Sequence, residues 1–518
     1  MPPSDYVRTR ELSSQEQQQQ PSATTATGQY FSQVVDKHPY FPNLSVDVSN
    51  LASVKHAALV LVYSSILLNN CGEIDKDKLY EFFDSNNTRN EIPAAMGQLT
   101  CTKVTGGITN ALFRVSGFQS IKPLLLQDSA ATASSLEFDS VLVRIFGAEG
   151  MIDRDIETST YAALCNADIA YKYMGRFSNG RIEGWLDGYH PLSRHDLYDE
   201  NVGLEVAKEM ARLHCLFQVP EGELRDHHCG ASSGATGSSE LDVISVGLWD
   251  QLSSWMEQAK GYTEFKTPRD TERARQLQLD KIELEVQSII QSFTSTAASA
   301  TAAVHPSDGT DSGDSTASIC GSSNGVNNNN SNMQPNVVFC HNDLLPANIM
   351  RNQNTGHIQL IDFEYGGSNY AAFDMANHFN EYCGGTTAQD NGQTDYTKFP
   401  KPERQKKFCV EYVKMMRKLE SMRSDITDPD YTGGDNNDDQ KEMEDDDDEG
   451  IMNEALQLLS HVHKFILVNH LYWGLWAVNQ AANEGCEEFD YLTYAANRFN
   501  EYYVKKSEWG GGLRAKQT

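Results

Sequence analysis

The stretch VVFCHNDLLPANIM, from Val337 to Met350, constrains this chain more than any other. An apolar run of the kind that makes a buried strand ends directly at His341, Asn342 and Asp343, and Asn348 follows five residues after the aspartate. Seven residues beyond Met350, HIQLIDFEYGG makes a second apolar strand that exits into Asp362 and Glu364. Two acidic strand exits separated by one short hairpin gather a cluster of oxygen ligands, the hard donors that magnesium requires. A general base (Asp343), an amide ligand (Asn348) and a carboxylate ligand (Asp362, with Glu364 close by) in this order are the parts of a phosphoryl-transfer site. His341 reads better as a buried brace bridging backbone groups of the loop, because the aspartate already supplies the base.

Phosphate chemistry also needs an anion-facing turn, and the segment from Thr100 to Phe146 offers one. TKVTGGITNALFRV reads as a strand, a glycine turn and a return strand, with VLVRIFG as a third strand. Gly106 and Gly107 let the backbone approach an anion, and Thr109 and Asn110 add side-chain donors, although two adjacent glycines are by themselves only a hairpin turn. Arg144 strengthens the reading: a cation inside a strand of Val, Leu, Ile and Phe either snorkels from an edge or meets a buried negative group. The following DRDIETSTYAALCN starts a helix whose Glu157 either pairs with Arg144 or lies exposed. IAYKYMGRF and GRIEGWLDG are two more strands leading to a connector. NVGLEVAKEMARLHCLF then lines Val202, Val206, Met210, Leu213 and Phe217 along one helical face.

Much of the 518-residue chain lacks the apolar content to pack. Residues 1–30, 230–240, 292–336 and 425–450 are polar, Ser/Asn-rich or acidic, and are expected to be unpacked. The formal charge of −30 is partly local, since residues 425–449 hold thirteen acids against one lysine, as a solvated linker would. With no basic stripe to neutralise phosphates, nucleic acid is not an expected partner. Ten cysteines without a C-x-x-C pair point away from structural zinc and secreted disulfide frameworks and toward a reducing cytoplasm. AALVLVYSSILL and ILVNHLYWGLWAV are too short to span a bilayer, so no transmembrane segment is expected.

From GGITNALF, VLVRIFG, GRIEGWL, VVFCHNDLLPANI, IDFEY, NYAAFDMANHFNEYCG, HLYWGLWAVNQA and FDYLTYAANRFNEY, the chain resembles the choline/ethanolamine kinase family, with CHNDLL and HFNEYCG closer to its ethanolamine branch. The resemblance runs from about Leu99 to Lys506 and implies an α+β, protein-kinase-like fold of two lobes. A helical N-terminal extension (31–98) would precede a small nucleotide-binding lobe (99–186). The catalytic lobe (187–506) would carry the inserts, and 507–518 would be a tail. ATP and Mg2+ would be the cofactors and a small amino alcohol the substrate, and the family often forms homodimers. Asp343 would deprotonate the substrate hydroxyl, while Asn348, Asp362 and Glu364 would lie at the metal. Gly107, Thr109 and Asn110 would lie on the phosphate-covering turn, Arg144 would replace the lysine of protein kinases, and the connector from Glu183 to Leu186 would meet adenine.

A head-group pocket is implied at Tyr365, Glu381, Trp473, Trp476, Glu488, Phe489, Tyr491 and Tyr494. Trp473 and Trp476 lie three apart on a predicted helix, hence on one face. Such a stripe alone would be core; the neighbouring acids favour a cation site, because burying a carboxylate without a cation is costly. A primary ammonium profits from acceptors such as Glu381 and Glu488, which favours ethanolamine. The rivals are a choline or dual-specificity kinase and a catalytically silent kinase-like binding protein.

Overall fold

In Asn110–Ser116 and Ser140–Phe146, apolar residues at 111, 113 and 115 and at 141, 143 and 145 put one set on a single strand face, as in a strand with one face in a core. The computed structural model describes residues 35, 37–71, 91–104, 110–125, 138–147, 154–217, 247–302, 336–427 and 448–514. The tail at 1–30, the insert at 230–240 and the turn residues Gly106, Gly107 and Thr109 lie outside them. The small lobe consists of β1 (Tyr40–Phe41), α1 (Leu51–Cys71), α2 (Glu91–Gln98), β2 (Thr100–Val104), β3 (Asn110–Ser116), α3 (Phe118–Leu125), β4 (Ser140–Phe146), α4 (Arg154–Asn166), β5 (Tyr173–Phe177) and β6 (Gly180–Gly184). Its strands form one sheet in the order β1-β5-β6-β4-β3-β2, antiparallel except where β1 runs parallel to β5.

Strand parity places the polar residues. Phe113, Val115, Val141, Val143, Ile145 and Ile182 pack on one face beneath Val54, Ala57, Ala58 and Leu61 of α1. Asn110, Arg144, Arg181 and Glu183 occupy the alternate positions and project toward the large lobe, which Asn110 and Arg144 reach at Glu364 and Asp362. The N-terminal extension thus covers the sheet with α1 and adds β1 to its edge. Two residues carry no period, so the sequence pattern did not announce that strand.

The large lobe follows with β7 (Tyr189–Pro191), α5 (Glu200–Leu216), α6 (Leu248–Gly261), α7 (Pro268–Gln276), α8 (Leu279–Ala302), β8 (Val337–Cys340), β9 (Ile349–Asn352), β10 (Ile358–Leu360), β11 (Gly367–Tyr370), α9 (Ala371–Glu381), α10 (Pro402–Thr427), α11 (Asp448–Asn483) and α12 (Tyr491–Arg514). Helix α5 buries Val202, Val206, Met210 and Leu213, with Phe217 just past its end, and is capped by Asp199, whose side chain accepts from the Asn201 N–H. Two small sheets, β10-β9-β7 and β11-β8, sit at the lobe boundary. The strand that delivers Asp343 therefore pairs with β11, and the two acidic exits meet through their loops.

Two segments expected to be unpacked are partly helical. Helix α8 continues through Ala302, because a helix already nucleated propagates through an Ala-rich run. Helix α10 reaches Thr427, and α11 starts at Asp448, with Asp448 and Glu449 in a first turn where the helix dipole favours negative charge. Helix α11 spans 36 residues and crosses α12 so closely that a Cβ on Gly474 would lie 2.4 Å from the Phe499 ring. Among the described residues, no helix is long and apolar enough to cross a membrane.

That crossing yields a stability test. Gly474→Ala gains helix propensity but forces Phe499 out of its rotamer, so it lowers unfolding stability by about 1–3 kcal/mol. Denaturant titration reads this as a lower midpoint at unchanged slope.

Candidate active site

The loop after β8 is built around one carboxylate. Asp374, fully buried in the first turn of α9, accepts the N–H of His341 at 2.7 Å and that of Asn342 at 2.6 Å, while His214 Nε2 lies 3.1 Å from it. Asn342 has φ +65°, a left-handed conformation that asparagine tolerates better than most residues. Its side chain secures that turn, donating to the Tyr365 carbonyl at 2.8 Å and accepting from Asn369 at 2.8 Å. The His341 ring spans the two acidic exits: Nε2 is 2.8 Å from the carbonyl of Ile361, and Nδ1 is 3.3 Å from the N–H of Asp343. Burial lowers the His341 pKa and keeps the ring neutral, as an accepting Nδ1 requires. It is a brace.

Asp343 is half-buried, and Asn348 Nδ2 donates both to its Oδ2 at 3.1 Å and to its carbonyl at 2.9 Å. With its amide nitrogen so committed, Asn348 presents its carbonyl oxygen as a ligand. Burial, then the charges of Glu381, Glu364 and Asp362, push the Asp343 carboxyl well above the usual carboxylate range. A carboxylate raised in this way is a better proton acceptor.

On the small lobe, three guanidinium groups interleave with four carboxylates. Arg144 Nε donates to Glu183 at 2.8 Å and its Nη1 to Asp362 at 3.0 Å. Arg181 stands directly opposite Arg144 in the β4/β6 register, an arrangement that would repel without Glu183, which accepts from Arg181 Nε at 2.7 Å on the same oxygen. Glu157 is 5% exposed and takes Arg181 at 2.8 Å and Arg154 at 2.7 Å. Glu157 is thus buried, within reach of the Arg144 charge, while its hydrogen bonds go to Arg181 and Arg154 and link to Arg144 through Glu183. Burial opposes the charge on Glu183, yet Arg144 and Arg181 hold its carboxyl below the usual range. Arg154 also approaches Glu364 at 3.7 Å, and Asn110 donates to Glu364 at 3.4 Å. The donors Asp362, Glu364 and the Asn348 carbonyl fit a magnesium ion chemically, and the surplus carboxylate leaves room for its charge.

The connector differs in detail from expectation. Glu183 contributes its side chain to the arginine relay, and the Gly184 N–H is taken by the carbonyl of Lys172 at 2.7 Å. Trp185 lies under the Arg114 guanidinium at 4.8 Å, and Leu186 is half-buried beside it.

Next to the loop stands an aromatic box. Tyr365 meets Trp473 edge-on at 5.4 Å, Trp473 meets Trp476 at 5.4 Å, and Trp476 meets Tyr491 at 5.6 Å. Phe489 lies 4.8 Å from Tyr491 and 6.2 Å from Tyr494. Trp476 Nε1 donates to the Tyr365 hydroxyl at 3.1 Å, and Trp473 Nε1 to Asn377 at 2.8 Å, so both indoles are fixed in orientation. Glu381 is 4% exposed; burial pushes its carboxyl up to about 7, against the Arg498 charge and a Thr386 hydroxyl at 3.4 Å. Glu488, expected in the same pocket, is exposed, because it lies in the short connection between α11 and α12. Sequence reasoning missed Asp374, Arg181 and Asn377; the partners of Asp374 and Asn377 lie far along the chain and left no local signal, whereas Arg181 two residues before Glu183 on one strand was a local signal left unread.

Residues 101–503 match a family model described as choline/ethanolamine kinase. The chain is 26% identical over 403 residues to "Probable choline kinase 3" of Arabidopsis thaliana, covering 77% of this chain and 85% of that protein. It is 25% identical over 413 residues to "Probable ethanolamine kinase A" of Dictyostelium discoideum, covering 79% and 86%. Its fold is similar to the solved structure of an ethanolamine kinase of Plasmodium vivax, with a TM-score of 0.52, 21% identity and coverage of 88% of this chain and 96% of that one. The small β-sheet lobe and the large helical lobe thus form a protein-kinase-like fold.

Glu381 makes a pH-dependent prediction. Its folded carboxyl titrates above that of an unfolded glutamate, so its contribution to stability is whole below about 4.5 and is lost as pH rises through about 7. Glu381→Gln removes this loss: the ligand-free variant melts higher than the parent at pH 8, by roughly 3 kcal/mol of stability, and no higher at pH 4.5.

Proposed function

Because the chain belongs to the choline/ethanolamine kinase family, we propose that it transfers the terminal phosphoryl group of ATP to the hydroxyl of ethanolamine, yielding phosphoethanolamine for phospholipid synthesis. The observation that carries the substrate choice is Glu381, a buried carboxylate beside an aromatic box and close enough to Asp343 to raise its pKa. An amino alcohol presents a cation at one end and a hydroxyl at the other. The box and Glu381 receive the cation, and Asp343 meets the hydroxyl. A primary ammonium donates hydrogen bonds to Glu381, whereas a quaternary one only rests against the rings. With Glu488 at the surface, this selection falls on Glu381.

In the reaction, Asp343 accepts the hydroxyl proton as the alcohol oxygen bonds to the terminal phosphorus and the bond to the ADP oxygen breaks. Arg144, turned into the cleft by strand parity and gripped by Glu183, offsets charge on the phosphates; a guanidinium grips two oxygens where a lysine grips one. Asn348 and Asp362, with Glu364 close by, would hold Mg2+, which supplies charge neutralisation at the phosphate oxygens. Asn110 faces the phosphates from the end of β3, and Trp185 and Leu186 of the connector meet adenine. The arginine relay and His341 keep these groups in place before substrate arrives, which is where much of the rate enhancement in phosphoryl transfer lies. A cytoplasmic, homodimeric enzyme is part of this reading.

Relatives named for choline and for ethanolamine make substrate preference the decisive measurement. Steady-state rates with each alcohol give the higher kcat/KM for ethanolamine; a higher value for choline overturns the assignment. Asp343→Asn retains the fold and loses roughly 10²–10⁴-fold in kcat. Undiminished turnover would remove Asp343 from the role of base, and no turnover in the parent with either alcohol would favour a silent binding protein. Chelation of Mg2+ abolishes turnover, and adding it back restores it.

A further inference from the structure

Behind the aromatic box lies a set of polar side chains that the proposed chemistry does not use. Asn377 and Asn380 on α9, Asn469 and His470 on α11 and Arg498 on α12 are each at most 1% exposed. Burying a guanidinium and three carboxamides at one helix crossing is costly, and apolar residues of the same volume would fill the space at lower free energy.

The three asparagines and Arg498 are connected in one path. Asn469 Nδ2 donates to Asn377 Oδ1 at 3.0 Å, and Asn469 Oδ1 accepts from Asn380 at 2.7 Å and from Arg498 Nη2. The same Nη2 donates to the Asn469 carbonyl at 3.0 Å. Asn377 Oδ1 also accepts from the Trp473 indole at 2.8 Å. The path therefore starts at a ring of the box and ends at Arg498, whose guanidinium lies 5.6 Å from the Tyr494 ring centroid and whose charge favours ionised Glu381. Arg498 Nη2 is committed to Asn469, and among the described residues no ion pair joins Arg498 to Glu381.

We propose that Asn469 and Arg498 are positioning residues of the cation site, coupling its aromatic wall at Trp473 to its acidic wall at Glu381 so that both meet the same ammonium group. Neither residue touches the amine. Asn469 holds the indole through Asn377, and Arg498 favours the ionised form of Glu381 against its burial. The other groups facing Glu381 are Asp343 from the catalytic loop, Tyr494 from α12, and Thr386 and Cys383 from the segment after α9. This inference rests on the amino-alcohol reading above.

The test uses the full chain with Asn469→Asp, Arg498→Met and Arg498→Lys, each checked for a cooperative thermal transition. Asn469→Asp keeps acceptors for Arg498 and Asn380 but loses the donor to Asn377. In Asn469→Asp and Arg498→Met, KM for ethanolamine rises roughly tenfold, the loss of about one supporting hydrogen bond or charge, while KM for ATP stays within about twofold. Arg498→Lys, which keeps the charge, recovers part of the loss. Tryptophan emission titrated with ethanolamine without ATP shows the same weakening. In the parent, amine binding improves as pH rises through about 7, and in Arg498→Met that midpoint moves upward, because the ionised carboxylate has lost its cation. Unchanged amine affinity, or parallel increases in both KM values, would reduce the network to a structural role. If Arg498→Met does not fold, Asn469→Asp and Arg498→Lys decide the matter by the same two readouts. A parent that phosphorylates neither alcohol defeats the functional reading; an active parent whose folded variants bind amine normally defeats only this proposal.

Discussion

The buried carboxylate of Asp374 is the contact on which the site depends. By accepting two successive backbone N–H groups, it holds the chain in the turn that ejects Asp343 from β8 and lets Asn342 sit at positive φ. The same helix, α9, carries Asn377 and Glu381 at i+3 and i+7 from Asp374, hence on one face. A single rigid helix thus sets the loop that carries Asp343, the Trp473 indole and the buried Glu381 carboxyl. Fixed spacing along a helix holds the loop of Asp343 and the Glu381 carboxyl at one separation.

Strand parity does comparable work in the small lobe. The sheet buries one face under α1 and turns the other to the cleft, so an arginine, a glutamate or an asparagine at the alternate positions arrives at the active site without further instruction. Two arginines placed opposite each other require Glu183 between them, and Glu157 takes the other side of Arg181. Removing one member of such a buried set strands the rest, so the relay also ties α4 to the sheet. The acids at the catalytic end are treated differently. Asp343 and Glu381 are raised by burial, which disfavours their ionised forms.

Several of these features were legible in the sequence because they are local. The apolar run that stops at His341 announces a strand exit, the spacing from Asp343 to Asn348 announces a short loop, and Trp473 with Trp476 announces one helical face. The same local logic found Arg144 as an anomaly within an apolar strand. It failed where the partner lay far along the chain. The sequence leaves Glu157 open between Arg144 and solvent, and its hydrogen bonds go to Arg181 and Arg154; Glu488, expected beside Glu381, lies in solvent after α11. The helical continuation through Ala302 was missed because a composition that cannot nucleate a helix can still prolong one.

The amino-acid order by itself determined which residues are acids, amides and rings, and on which face of a strand or helix each one falls, because periods of two and 3.6 are properties of the backbone. Only the tertiary structure decided who meets whom: that Asp374 captures the loop from 32 and 33 residues away, that Arg181 bonds to Glu157, and that Arg498 acts on Glu381 from α12. Hydrogen bonds and charges act over a few ångströms and carry no memory of sequence separation, so their pairing is fixed only once helices and sheets have packed.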